Sequence, residues 1–201
     1  MSLSGSSRWQ SSEHSGDPEE MTGMLLVASP SLDDPNFSRT VVLVLDHSPS
    51  GTIGLVLNRP TAVPVEEILR QWHDQAALAS PAVIFSGGPV SPGAVIGLVR
   101  GTPRGEPAGW RSVIGEVGTV DLSVPPDDQP ALDGARLFSG YSGWASDQLD
   151  DEIDEGAWFV LDATEDDLLS SVPEQLWHDV LRRQGGDLGM LASFPPHPSV
   201  N

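Results

Sequence analysis

The chain contains no cysteine and no lysine; all ten of its basic residues are arginine. Without thiols it has no disulfide, thiolate nucleophile or iron–sulfur ligand, and without an amine it has neither a P-loop lysine nor a pyridoxal Schiff base. Hydroxyl, imidazole and carboxylate chemistry remains. Positive charge is scarce as well, with 29 Asp and Glu against those ten arginines and a formal net charge of -19. Such a chain repels phosphate backbones and anionic lipid heads, which argues against direct nucleic-acid binding and against a membrane-surface role. No stretch approaches 18 consecutive apolar residues, and the first twenty residues lack the apolar region of a signal peptide. The expected location is the cytoplasm.

With 201 residues, 38% of them hydrophobic, the chain is long enough to bury the core of one domain. Residues 1–20, rich in Ser, Gly and Glu, are expected to form a disordered N-terminal tail. Residues 21–188 read as a single domain. Residues 189–201 follow the last helical pattern, are interrupted by Gly and Pro, and are expected to be an extended C-terminal tail.

Residues 23–29 (GMLLVAS) and 40–46 (TVVLVLD) are apolar runs that predict strands buried on both faces. A Pro- and Gly-containing connection then leads into residues 52–57 (TIGLVL), which predicts a hairpin. Residues 63–72 place Val65, Ile68, Leu69 and Trp72 at helical spacing. Residues 82–85 and 94–99, joined through Ser86-Gly87-Gly88-Pro89, predict a second hairpin. Residues 101–111 predict an exposed loop, and residues 113–122, 135–138 and 156–162 predict strands. Leu149 and Ile153 predict a short helix stopped by Gly156. Thr164 with Asp167 resembles a capping box, and residues 173–184 carry a stripe of Leu176, Trp177, Val180 and Leu181 between Pro173 and Gly185. Strands first and helices last predict an α+β fold.

Several segments, in this order, are specific: Gly54-Leu55-Val56-Leu57-Asn58-Arg59-Pro60, then Phe85-Ser86-Gly87-Gly88-Pro89-Val90, then Gly140-Tyr141-Ser142-Gly143-Trp144, Gln148 to Ile153 and Gly156-Ala157-Trp158. Together they resemble the AlgH (YqgE-like) family of bacterial cytoplasmic proteins, over roughly residues 23–185. The resemblance implies a complex mixed sheet, branched and partly barrel-like, surrounded by helices, and no agreed reaction. Some members are named for effects on alginate expression, which implies regulation exerted indirectly rather than on DNA. Members commonly carry Pro-Gly or another small pair where this chain has Ser146-Asp147, a departure confined to one turn.

The residues themselves point to recognition more than to catalysis. Asn58 and Arg59 follow a buried strand, and a guanidinium fork there suits a carboxylate or phosphate. Ser86, Gly87 and Gly88 are candidates for an anion nest or, more commonly, a tight turn. Tyr141 and Trp144 are expected to line the wall of the same site. The partner so described is a small anionic ligand or a protein. The rival reading is a hydrolase or transferase that uses Ser142, or a carboxylate, with a histidine such as His47. Ser142 lacks the glycine two residues on that a nucleophile elbow needs, because Trp144 stands there. Neither cofactor nor metal is expected. His47, His73 and His178 share no ligand spacing, and a calcium loop counted from Asp150 fails at Glu155 and Leu161.

Overall fold

The computed structural model describes residues 21–101, 109–129 and 132–194. The expected N-terminal tail, most of the loop at 101–111 and the last seven residues lie outside these. The first three strands are β1 (Leu25–Ala28), β2 (Val41–Ser48) and β3 (Gly51–Val56), consecutive antiparallel neighbours as the apolar runs predict. All four β1 residues are buried, and so are the first four of β2. Alternation sends Leu25, Val27, Val41 and Leu43 into one core cluster, and Leu26, Ala28, Val42 and Val44 into a second on the opposite face.

The middle of the chain departs from expectation. Strand β4 (Pro60–Pro64) takes up the start of the predicted helix, which is then broken into α1 (Val65–Ile68), a 3-10 turn at Arg70–Trp72 and α2 (His73–Leu78). Leu69 leaves the helical region at φ -137°, and Ile68, one of the predicted stripe, is exposed. Tertiary contacts override the periodicity here: Trp72 is fully buried and its indole N–H donates to the Leu122 carbonyl at 3.2 Å.

Strands β5 (Val83–Ser86) and β6 (Val90–Arg100) do not form the expected hairpin. Both pair instead with β9 (Gly134–Trp144), β5 in parallel and β6 antiparallel. The predicted strand at 113–122 is itself a small hairpin, β7 (Arg111–Ile114) and β8 (Val117–Thr119). β9 runs on through the Gly140-to-Trp144 segment, well past the predicted strand at 135–138. Gly140 accommodates this with φ +70°, in close approach to the Gly88 and Val90 carbonyls.

With the last strand, β10 (Trp158–Leu161), the sheet follows the order β10-β1-β2-β3-β9-β6-β8-β7, with β4 and β5 as a branch from β9, and it does not close into a barrel. β9 pairs with β5 through residues 137–139 and with β3 through residues 142–144. At this fork the Gly87 N–H donates to Ser139 and its carbonyl accepts from Val56, both at 2.9 Å. A Cβ on Gly87 would run into the Gly140 carbonyl oxygen, so the branch point requires glycine.

Helix α3 (Gln148–Asp154) leads to β10 (Trp158–Leu161), and α4 (Glu165–Leu168) opens with the predicted capping box, Asp167 accepting from the Thr164 N–H and hydroxyl at 2.8 Å. Helix α5 (Leu176–Gln184) buries its four stripe residues as predicted. The chain then continues as α6 (Gly186–Leu191), where an extended tail was expected from residue 189; Leu188, Leu191 and Ala192 pack on the first core cluster and hold the segment down. The architecture is α+β, with helices around a mixed, mostly antiparallel sheet.

Candidate functional site

Asn58 closes the end of β3 as a clamp on the preceding chain. Its Oδ1 accepts the Val41 N–H at 3.0 Å and its Nδ2 donates to the Arg39 carbonyl at 2.9 Å, from a side chain only 7% exposed. Arg59, the next residue, is exposed and donates one Nη to the Ser38 carbonyl at 2.6 Å. Residues 38–39 and 58–59 are thereby fastened into one corner. Arg39 sits there with φ +56°, its guanidinium 4.7 Å above the Trp177 ring. It donates to the Phe194 carbonyl at 2.6 Å and lies 3.4 Å from Nε2 of His178. Trp177 is the fixed floor: it is buried, and its indole N–H donates to the Ala28 carbonyl at 2.8 Å.

Among the described residues Arg39, Arg59, Arg70 and Arg136 form no ion pair with a carboxylate, whereas Arg100, Arg111, Arg182 and Arg183 do. Of the four, Arg39 and Arg59 are the two that the Asn58 and Ser38 hydrogen bonds bring into one corner. The His178 imidazole is held below its ordinary pKa, first by partial burial and then by the positive charges of Arg39 and Arg182, with Asp179 opposing. Of the charges that act on His178, Arg39 and Arg182 are positive and Asp179 is negative.

The other predicted site residues divide. Ser86 joins the corner, its N–H donating to the Arg59 carbonyl at 2.8 Å. Because the Ser86 and Gly87 N–H groups are both committed to the sheet, they are not free to cradle an anion, and Gly87 and Gly88 serve the branch point. Tyr141 and Trp144 do not line one wall. They pack into different clusters on opposite faces of the sheet, as a three-residue offset along a strand dictates. Trp144 belongs to a buried group with Phe37 and Trp158, where both indole N–H groups donate to Oε2 of Glu152, at 2.9 and 2.8 Å.

Ser142 is fully buried and donates to the Gly87 carbonyl at 3.2 Å, and no histidine among the described residues hydrogen-bonds to it. His47 instead contacts Thr52, Nδ1 to Oγ1 2.7 Å, across the β2–β3 pair. These two line a cavity of about 230 Å³ together with Ser48, Ser146, Asp147 and Asp150. Asp147 adopts φ +62° in the loop that departs from the resemblance. Among the described residues no group of three or more His, Asp or Glu is arranged to hold a metal, and no helix is long and apolar enough to cross a membrane.

Sequence reasoning missed Arg39 and His178, which lie 139 positions apart. Arg39 lies in the segment Phe37-Ser38-Arg39-Thr40-Val41, whose residue types carry no sign of a role on their own.

A branched, mostly antiparallel sheet with helices around it defines the α+β class of fold. The AlgH-like family model, DUF179, matches residues 25–189, and the chain belongs to that family. It is 52% identical over 186 residues to a UPF0301 protein of Streptomyces coelicolor, covering 90% of this chain and 95% of that one. It is 46% identical to a UPF0301 protein of Thermobifida fusca, covering 90% of this chain and 96% of the relative. Among solved structures, a protein from Corynebacterium diphtheriae superposes with a TM-score of 0.79 at 32% identity, over 89% of this chain and 94% of the other. The AlgH protein of Pseudomonas aeruginosa superposes with a TM-score of 0.64 at 27% identity, over 91% and 98%.

Proposed function

We propose that this protein is a cytoplasmic binding or regulatory protein that recognises an anionic group, on a small ligand or on a protein partner, through the corner built by Asn58, Arg59 and Ser86. The observation that carries this reading is the exposed Arg59 guanidinium, fixed by one carbonyl and without a carboxylate partner among the described residues. A guanidinium held by one Nη keeps other N–H donors for a carboxylate or phosphate, which it grips in bidentate geometry. Regulation by such a protein runs through its partner, since a chain of net charge -19 is repelled by DNA.

The test is a thermal-shift and calorimetric titration with sulfate, phosphate, citrate and nucleoside phosphates against chloride at constant ionic strength. Arg59→Ala is expected to lose at least about tenfold in affinity for whichever anion binds, the loss of one charge-assisted contact, while keeping its unfolding temperature. Equal binding by Arg59→Ala and the parent protein refutes the reading.

One observation favours an enzymatic alternative. Thr52 is buried and its hydroxyl has one hydrogen-bond partner among the described residues, His47, so satisfying the buried O–H makes imidazole Nδ1 the acceptor, the arrangement of a base beside a nucleophile. An electrophilic fluorophosphonate that labels Thr52, and fails to label a His47→Gln protein, would support hydrolysis or transfer there. Absence of labelling counts against it.

A further inference from the structure

We propose that Arg39 and His178, above the Trp177 ring, form a second seat for an oxyanion, in which the anion takes the place of the imidazole beside the guanidinium and His178 accepts a proton from solvent. The inference rests on the reading of the corner as an anion site and adds to it the chemical class of the ligand group, a sulfate-, phosphate- or carboxylate-type oxyanion, and a coupling between its binding and pH.

The geometry supplies the seat. Arg39 is half-buried, stacked at 4.7 Å on a ring that is itself fixed, and tied at its main chain to Asn58, so its charge is held in place before any ligand arrives. Such preorganisation reduces what binding must order. Among the described residues the Arg39 guanidinium has two hydrogen-bond partners, the Phe194 carbonyl and the His178 Nε2 at 3.4 Å, and neither carries negative charge. The imidazole can face an arginine at that distance only as an acceptor, hence in its neutral form with the proton on Nδ1. An oxyanion is a stronger acceptor for the guanidinium than imidazole is. Once it is seated, its negative charge offsets Arg39, and His178 protonates and donates to it.

The charges facing His178 are Arg39 from the turn before β2, together with Arg182 and Asp179 on its own helix. Arg182 is paired with Asp179 at 2.8 Å, which leaves Arg39 as the unneutralised neighbour. Burial and Arg39 favour neutral imidazole in the empty site; the bound anion reverses the second of these. Anion affinity therefore rises as pH falls, across the interval between the free imidazole's lowered pKa and its higher value in the complex. The gain is about tenfold for each unit by which the pKa rises on binding.

The experiment is a sulfate titration of the full chain, followed by NMR of the His178 imidazole at pH 5.5, 6.5 and 7.5, with chloride holding ionic strength constant. Sulfate does not itself titrate in this range. The expected results are a His178 pKa that rises in saturating sulfate and an affinity about tenfold tighter at pH 5.5 than at 7.5. His178→Gln, which keeps a polar side chain, makes the affinity independent of pH, and Arg39→Lys weakens it without unfolding the protein. Sulfate binding that depends on Arg59 but leaves the His178 pKa unmoved, or keeps its pH dependence in His178→Gln, overturns this inference and leaves the Arg59 reading standing. Absence of sulfate binding in every arm overturns this inference, and the Arg59 reading then rests on the titrations with the other anions.

Discussion

Replacing Asn58 by alanine tests how the corner is built. The carboxamide makes two hydrogen bonds across the chain, to the Val41 N–H and to the Arg39 carbonyl, and Val41 is completely buried. Deleting it leaves the Val41 donor without a partner where water has no access, a cost of about 1–3 kcal/mol. The Arg39 carbonyl lies nearer the surface, where water can replace the lost donor, and adds about 0.5–1 kcal/mol. The sum is about 1.5–4 kcal/mol. For a chain of this size each kcal/mol moves the unfolding midpoint by about 2–4 °C, so Asn58→Ala should unfold roughly 3–16 °C below the parent protein. Urea unfolding followed by circular dichroism measures the free energy and thermal scans the midpoint. Asn58→Asp is the informative partner, because it keeps an acceptor for Val41 but turns a carboxylate oxygen towards the Arg39 carbonyl. It should be destabilised comparably, by like-dipole repulsion in place of a lost donor. An Asn58→Ala protein within about 0.5 kcal/mol of the parent, the range of an ordinary surface substitution, refutes the clamp.

Trp177→Ala removes the floor beneath Arg39 and should cost about 3–5 kcal/mol by urea unfolding, the range for a buried aromatic; Trp177→Phe should cost less but still lose the bond to Ala28. Glu152→Gln keeps an acceptor for the two indoles but presents an amide donor to the Gln148 amide, which now donates to Oε1; a loss of about 1–2 kcal/mol with altered tryptophan fluorescence is expected. Asp147→Gly places glycine where φ is +62° and should be neutral or stabilising by up to about 1 kcal/mol, whereas Asp147→Val should destabilise by more than about 1 kcal/mol. His178 has a folded-state pKa below its ordinary value, so between the two the unfolded chain binds the extra proton and stability falls as pH drops through that interval. Stability measured from pH 7 to 5 should show a shallower decline in His178→Gln.

What the sequence revealed was the part governed by local pattern. The apolar runs of β1 and β2 could be buried only on both faces, the β2–β3 hairpin had its turn residues, and the Thr164–Asp167 box and the α5 stripe fell where spacing put them. The branch was not legible, because whether Gly87 and Gly88 reverse the chain or let two backbones approach depends on Gly140, more than fifty residues away. The same holds for the site. Asn58, Arg59 and Ser86 are near in space and were read together, but period-two alternation separates Tyr141 from Trp144 once the Gly140-to-Trp144 segment is a strand. Arg39 meets His178 only through packing of α5 on the first sheet cluster. Buried Arg136 shows the same limit: its guanidinium gathers the carbonyls of Ala79, Ser80, Leu168 and Ser170, with no acid in contact, and desolvation lowers its pKa to about 10.

The most direct measurement of the central claim, that Arg59 and Arg39 mark an anion site, is a crystal of the protein soaked in selenate and read by anomalous diffraction. The strongest selenium peak is predicted within hydrogen-bond distance of the Arg59 or Arg39 guanidinium and absent from Arg59→Ala,Arg39→Ala crystals. Peaks confined to other surfaces, or a corner empty at full soak, contradict the account.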